Sequence, residues 1–298
     1  MRVYTIISML AVSIVLFACE KVITIMPPPY NTKPSIQSML EPDSLPKVYF
    51  NITVPYFDKK VSFQDLVIRN AQIKIQSTVG TDSLKLDSVY NKIYCQYDYY
   101  YKGNTPIQQN ITYTLSIKRG TDIFTAVAQT NQLPSSIDSV SFVQKFNDLY
   151  GEHEGVITYF KDVPAQVNYY RYEMVRYVDT ATKLASEKIA SVCLGTDSLR
   201  VNEIGRSVYA DEGLSGQQIK IVIEPAYSHK PGTKTFVNIT SIGKDAHDFF
   251  DQLDKQKLAQ FNPFVEPVFL VNGQFGSKAI GYFSAMKKSN PVLFIYPE

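Results

Sequence analysis

The sequence predicts a mainly β protein: two β-rich domains in succession, with one long helix near the C-terminus. Three observations carry that reading. Apolar and polar residues alternate with period two in many short runs separated by Gly, Pro, Asp and Asn. Aromatic content is 21 Tyr and 17 Phe with no Trp, a balance that favours strands. A single segment, "GKDAHDFFDQLDKQKLAQF", instead spaces its apolar residues as a helical stripe.

The elements are taken in chain order. Residues 1–18 read as a secretory signal: Arg2, an apolar run from Val3 to Ala18, then a small residue. The run is shorter than the ~20 apolar residues that span a bilayer. "LFAC" (Leu16 to Cys19) resembles a bacterial lipobox, which makes Cys19 the expected lipidation point and a lipid anchor the expected tie to a membrane. An ordinary cleaved signal is the competing reading. Residues 19–32 follow as a tether in which Pro27, Pro28 and Pro29 favour an extended chain. A ligand for a proline-reading domain is its sharper alternative.

Residues 33–133 carry five strand candidates: "KVYFNITV", "AQIKIQ", "KIYCQYDY", "ITYTLSIK" and "DIFTAVAQ". In the fourth, Ile111, Tyr113, Leu115 and Ile117 share one face, and Thr112, Thr114, Ser116 and Lys118 the other. Gly120 and Thr121 join the last two runs as a tight hairpin. The size and turn spacing fit an immunoglobulin-like β-sandwich. "NQLPSSIDSV" (Asn131 to Val140) reads as the boundary to residues 134–298. There "GVITYFKD", "NYYRYEMVRYV", "QIKIVIE" and "TKTFVNITSI" alternate in the same way. The helix is expected over about 243–260, with Ala246, Phe249, Phe250 and Leu253 on its apolar stripe.

Composition narrows function without naming it. A chain of 298 residues, 45% hydrophobic and 19% charged, is long enough for one or two cored domains. Its net charge of +2 leaves no nucleic-acid footprint. After Cys19 only Cys95 and Cys193 remain, to be paired in an oxidising compartment or left as partly buried thiols in strands. His153, His229 and His247 stand outside any metal or triad spacing, and no phosphate, dinucleotide or nucleophile-elbow motif occurs. The sequence therefore offers no catalytic residue, metal site or cofactor. "GEHEG" around His153 reads as a solvated loop or, less simply, a ligand fragment. "DEGLSG" (Asp211 to Gly216) reads as a turn or a weak calcium loop. Paired carboxylates for glycoside hydrolysis need no local motif, which keeps a hydrolase as a third class.

Binding is the better-supported class. "YCQYDYYYKGN" gathers Tyr94, Tyr97, Tyr99, Tyr100 and Tyr101. Neighbours in a strand face opposite ways, so Tyr99 and Tyr101, or Tyr100, should reach solvent and offer a recognition surface alongside Tyr97. Plain β propensity is the alternative. Asp-Ser or Asp-Thr followed by a small or apolar residue recurs, marking Ser44, Ser83, Ser88, Ser139, Thr180 and Ser198. The tripeptide resembles the O-glycosylation sequon of Bacteroidota; turn chemistry between strands is the competing explanation.

"CEKVI", "LPSSIDSV", "YFKDVPAQVNYYRYEM" and the block "NITSIGKDAHDFFDQLDKQKLAQFNPFVEPVFLVNG" resemble, in order and spacing, a family of Bacteroidota lipoproteins of unknown function. Members of that family are commonly encoded beside TonB-dependent outer-membrane receptors. The resemblance implies an outer-membrane lipoprotein serving an uptake system, on the periplasmic or the cell-surface side, with such a receptor as partner. A free-standing surface lipoprotein binding glycan or protein is the second functional class.

Overall fold

In the computed structural model, the described residues are 31–54, 62–91, 95–148, 151–178, 199–202, 207–223, 231–261, 270 and 273–297. The expected lipidation point Cys19, the tether up to residue 30, Tyr94, Cys193, His229, Thr180 and Ser198 lie outside them. Seven strands come first: β1 (Pro34–Leu40), β2 (Lys47–Ile52), β3 (Gln72–Ser77), β4 (Gly80–Asn91), β5 (Gln96–Lys102), β6 (Thr112–Arg119) and β7 (Asp122–Gln129). Their order across the sheet is β1-β2-β5-β4 and then β3-β6-β7. The alternation that marked β6 in the sequence places Tyr113, Leu115 and Ile117 inside. β7 adds Phe124, Ala126 and Ala128 to the same core. Gly120, at φ 58°, makes the two-residue turn between them that Arg119↔Asp122 pairing requires.

The second half contributes β8 (Ser136–Asp148), β9 (Gly151–Lys161), β10 (Tyr169–Val178), β11 (Leu199–Asn202), β12 (Val208–Ala210), β13 (Gln218–Ile223) and β14 (Lys234–Ile242). After them come α1 (Lys244–Phe261), β15 (Ile280–Lys288) and β16 (Val292–Ile295). A three-stranded sheet, β13-β9-β8, packs over one face of β10, β14 and β16. The inward residues are those the alternation selects: Tyr170, Tyr172 and Met174 from β10, and Ile219, Ile221 and Ile223 from β13. Helix α1 covers the opposite face, where Ala246, Phe250 and the half-buried Phe249 and Leu253 meet Ile242 and Tyr282.

The two halves are joined by a strand that sequence alternation did not reveal. β15 pairs in parallel with β1, from Ser35↔Ile280 to Leu40↔Ala285. It is buried on both sides, so it reads as a continuous apolar run and not as an alternating one. Phe283 and Ala285, with Phe275 and Ala279 just upstream, complete the core built by β1 to β7, while Tyr282 faces the helix. A cut at 133 therefore divides one hydrophobic core, and Thr32–Glu298 cohere as one unit. Close approach of β1 and β15 explains Gly281. Its φ is 120°, and a Cβ there would stand 1.8 Å from the carbonyl oxygen of Ile36.

Candidate functional site

The tyrosine-rich stretch forms β5 and pairs with β4 in antiparallel register, Tyr90↔Tyr97, Ser88↔Tyr99 and Leu86↔Tyr101. Pleating puts Tyr97, Tyr99 and Tyr101 on one face and Asp98, Tyr100 and Lys102 on the other. Along the first face exposure falls toward the base of the hairpin: Tyr97 is 47% exposed, Tyr99 half-buried and Tyr101 only 3% exposed. Tyr101 reaches the core built by β1 to β7, where its hydroxyl donates to the Ile68 carbonyl at 2.9 Å and accepts from the Ala71 N–H at 3.3 Å. Burial holds its pKa above the usual tyrosine value.

The expectation that Tyr100 or Tyr101 reaches solvent is corrected here. Tyr100 is 6% exposed on the opposite face, packed against Tyr49 at 5.8 Å with the Lys47 ammonium 4.9 Å above its ring. Alternation fixes that neighbours point opposite ways; it does not say that both faces are covered at that level of the sheet.

What reaches solvent is a ladder of three rings, Tyr90, Tyr97 and Tyr99. Tyr90 and Tyr97 meet edge-on at 5.1 Å, and Tyr97 and Tyr99 lie 6.4 Å apart. The Arg69 guanidinium stacks 4.2 Å from the Tyr99 ring. Sequence reading missed Tyr90 and Arg69. Tyr90 was legible as the residue facing Tyr97 across a hairpin, had β4 been recognised. Arg69 arrives from the segment after a short 3-10 turn (Phe63–Leu66), which no local pattern announces. Rigid rings with polar tips beside a cation suit a peptide, protein or sugar surface.

Cys95 stands next to this ladder, exposed in a turn at φ 52° just before β5, and is disulfide-bonded. That corrects the alternative of a partly buried thiol within a strand. The described glycosylation candidates fall in a turn and in two strands. Ser44 lies in an exposed turn after Asp43, but Ser83 and Ser88 belong to β4 and Ser139 to β8. Ser88 sits directly opposite Tyr99 on the ladder face. Ser139 adjoins an irregularity in the β8–β9 pairing, where Asp138 accepts from Gln218 at 2.9 Å.

"GEHEG" is not a loop but the start of β9, with His153 half-buried against Phe146 at 6.1 Å. His247 is half-buried on α1 against Tyr169 at 4.9 Å. In "DEGLSG" the Asp211 carboxylate turns inward. Asn168 donates to it and to Asp162, each at 3.1 Å, while the Tyr170 hydroxyl donates to Asp162 at 2.5 Å. The Gly216 N–H completes the set, donating to Asp162 at 2.7 Å. Burial first, and the Asp162 carboxylate second, raise the Tyr170 pKa far above its ordinary value. Among the described residues no three His, Cys, Asp or Glu side chains gather as a metal cluster.

Fold and surface together define a mainly β protein with one α-helix among its described residues and an aromatic ladder on a hairpin. The chain belongs to the family described as Domain of unknown function (DUF4249), which matches residues 23–290. No curated protein matches it.

Proposed function

We propose that this protein is a Bacteroidota outer-membrane lipoprotein, anchored through Cys19, that serves a TonB-dependent uptake system as an accessory or substrate-capturing component. The observation that carries the reading is the Tyr90–Tyr97–Tyr99 ladder with Arg69, an aromatic surface that the fold leaves uncovered. The strand order β1-β2-β5-β4 and β3-β6-β7 supports an immunoglobulin-like sandwich as its scaffold. The disulfide at Cys95 suits an oxidising compartment outside the cytoplasm. If the residues from Glu20 to about Lys33 form an extended tether, at ~3 Å per residue, its reach is about 40 Å. Anchoring beside a receptor raises the effective concentration and lets weak contacts suffice.

Ser88 adds a constraint. A glycan there would stand on the ladder, so modification at Ser88 and receptor contact through Tyr99 exclude one another.

Affinity purification of the tagged lipoprotein from mild detergent tests the reading. A TonB-dependent receptor is expected in near-equal amount, and lost when Tyr90, Tyr97 and Tyr99 are changed to Ser. Recovery of the lipoprotein alone, across detergents, would favour the free-standing binder.

A further inference from the structure

Among the described residues Arg69 is the one cation that touches the tyrosine ladder, and the chain on either side of it is pinned. The Ile68 N–H donates to the Phe50 carbonyl at 3.0 Å, and the Ile68 carbonyl and the Ala71 N–H both bond the buried Tyr101 hydroxyl. From that base the guanidinium lies over the Tyr99 ring, 4.2 Å from its centroid. A cation fixed in this way gives up little conformational freedom when a ligand arrives.

No acid among the described residues claims that charge. The one hydrogen bond of Arg69 goes to the Gln64 carbonyl at 3.4 Å, long enough to be weak, and it forms no ion pair. The strand charges nearby are turned away from the rings. Lys85, Asp87, Asp98 and Lys102 lie on the opposite face of β4 and β5, and they sum to zero. There Asp87 meets Lys102 at 3.6 Å, and Asp98 accepts from Asn91 at 2.7 Å. At the rings themselves the charge is a single, unpaired positive one.

Arginine presents a planar fork of donors that matches a carboxylate two bonds at a time, and stacking on an aromatic face leaves the edge of the fork available. One cation suits a singly charged carboxylate. A phosphate dianion calls for more, and Lys47 and Lys102 are on the other side. The rings supply the remaining area. Tyr90 and Tyr97 stand clear of the sheet, nearly half exposed, and tyrosine with arginine is the combination enriched at the energetic centres of protein interfaces.

We infer that the ladder recognises an acidic segment of a protein partner: Arg69 grips one Asp or Glu side chain while the apolar residues beside it lie across Tyr97 and Tyr90. The inference rests on the ladder being the contact surface proposed above, and adds what the partner presents there.

A selection of short random-sequence peptides against the purified full chain in detergent tests it. The selected peptides are expected to carry an Asp or Glu beside an aromatic or aliphatic residue, and to be weakened by Tyr97→Ser. Arg69→Gln should weaken them by roughly 10–100-fold, the worth of hydrogen bonds to a charged group. Arg69→Lys should cost less, since it keeps the charge and loses the fork. Arg69→Glu should abolish binding, and exchanging the peptide's acid for Lys should restore it to that variant. An arginine that only shields the Tyr99 ring would give no such exchange. Because Arg69 is exposed, all three variants should melt close to the parent. Selection of no peptide, of peptides without an acid, or of peptides that bind Arg69→Gln as well as the parent would overturn the inference. Binding of tri-galacturonate, an acidic glycan, in place of any peptide would overturn it too. The receptor reading is tested separately. A TonB-dependent receptor that co-purifies with Arg69→Gln but not with the triple tyrosine variant would remove the acidic contact and leave the role of the ladder standing. Acid-selective peptides with no receptor recovered would do the reverse.

Discussion

Two tyrosines on the same face of β5 carry opposite burdens. Tyr101 fills the core of β1 to β7 and Tyr97, four residues earlier, meets solvent. Tyr101→Ser should therefore cost roughly 3–5 kcal/mol of stability in denaturant unfolding, as large-to-small core changes do. Tyr97→Ser should stay within about 1 kcal/mol. A comparable loss for both would contradict the ladder's exposure. Tyr282 offers a second test at this scale. Burial between β1 and the helix, opposed by Arg171 and reinforced by Tyr49 and Glu173, pushes its pKa up to about 12. The fold thus favours the neutral hydroxyl, so its contribution is complete below pH ~10, the ordinary tyrosine value, and is lost as pH rises toward about 12. The loss is on the order of 2–3 kcal/mol. Tyr282→Phe should flatten the alkaline fall in melting temperature only in part, since Tyr170 is shifted in the same direction.

At the scale of elements, legibility followed coverage. β6, β10 and β13 were readable because one face of each meets a core and the other is more polar, while β7 keeps one buried face but exposes Ile123 and Val127 on the other. β4 was not, since Leu84 is its one buried side chain and its Asp-Ser pairs imitate turns. β15 was hidden for the opposite reason, being covered on both sides. The helix was legible from its stripe, observed over Lys244–Phe261 against an expected 243–260. Of the candidate site, the tyrosines themselves were visible in sequence, but which of them face solvent depended on what β2 and the first core place over them. The pairing of β1 with β15 rests on a missing side chain. Gly281→Ala would drive a methyl into the Ile36 carbonyl while holding φ at 120°, so strand separation and a loss of roughly 2–5 kcal/mol are expected. Gly276→Ala, with open space around its Cβ, should cost far less. Equal losses at the two glycines would mean that backbone conformation, and not interstrand contact, sets the requirement.

For the whole molecule, the first core is closed by residues from the far end of the chain. A fragment ending at 133 would lack Phe275, Ala279, Phe283 and Ala285, leaving the edge of β1 unpaired and apolar surface bare. Such a fragment should aggregate or melt without a cooperative transition, where the full chain unfolds in one. A sharp transition in the fragment would show that β15 is dispensable to the first core. The same pairing has a bearing on how the chain comes into being. A polypeptide that emerges N-terminus first exposes β1 among its earliest structure, yet the neighbour that completes β1 is among the last strands to be delivered. β2 can zip to one side of it at once. The other side must wait through nearly the entire length of synthesis, held open to any passing strand. The closing step is then the insertion of a late, two-faced strand between an early sheet and a helix. Contacts so distant in sequence make for slow folding, with a long interval in which the molecule is vulnerable and anything that shields the edge of β1 acts as its chaperone.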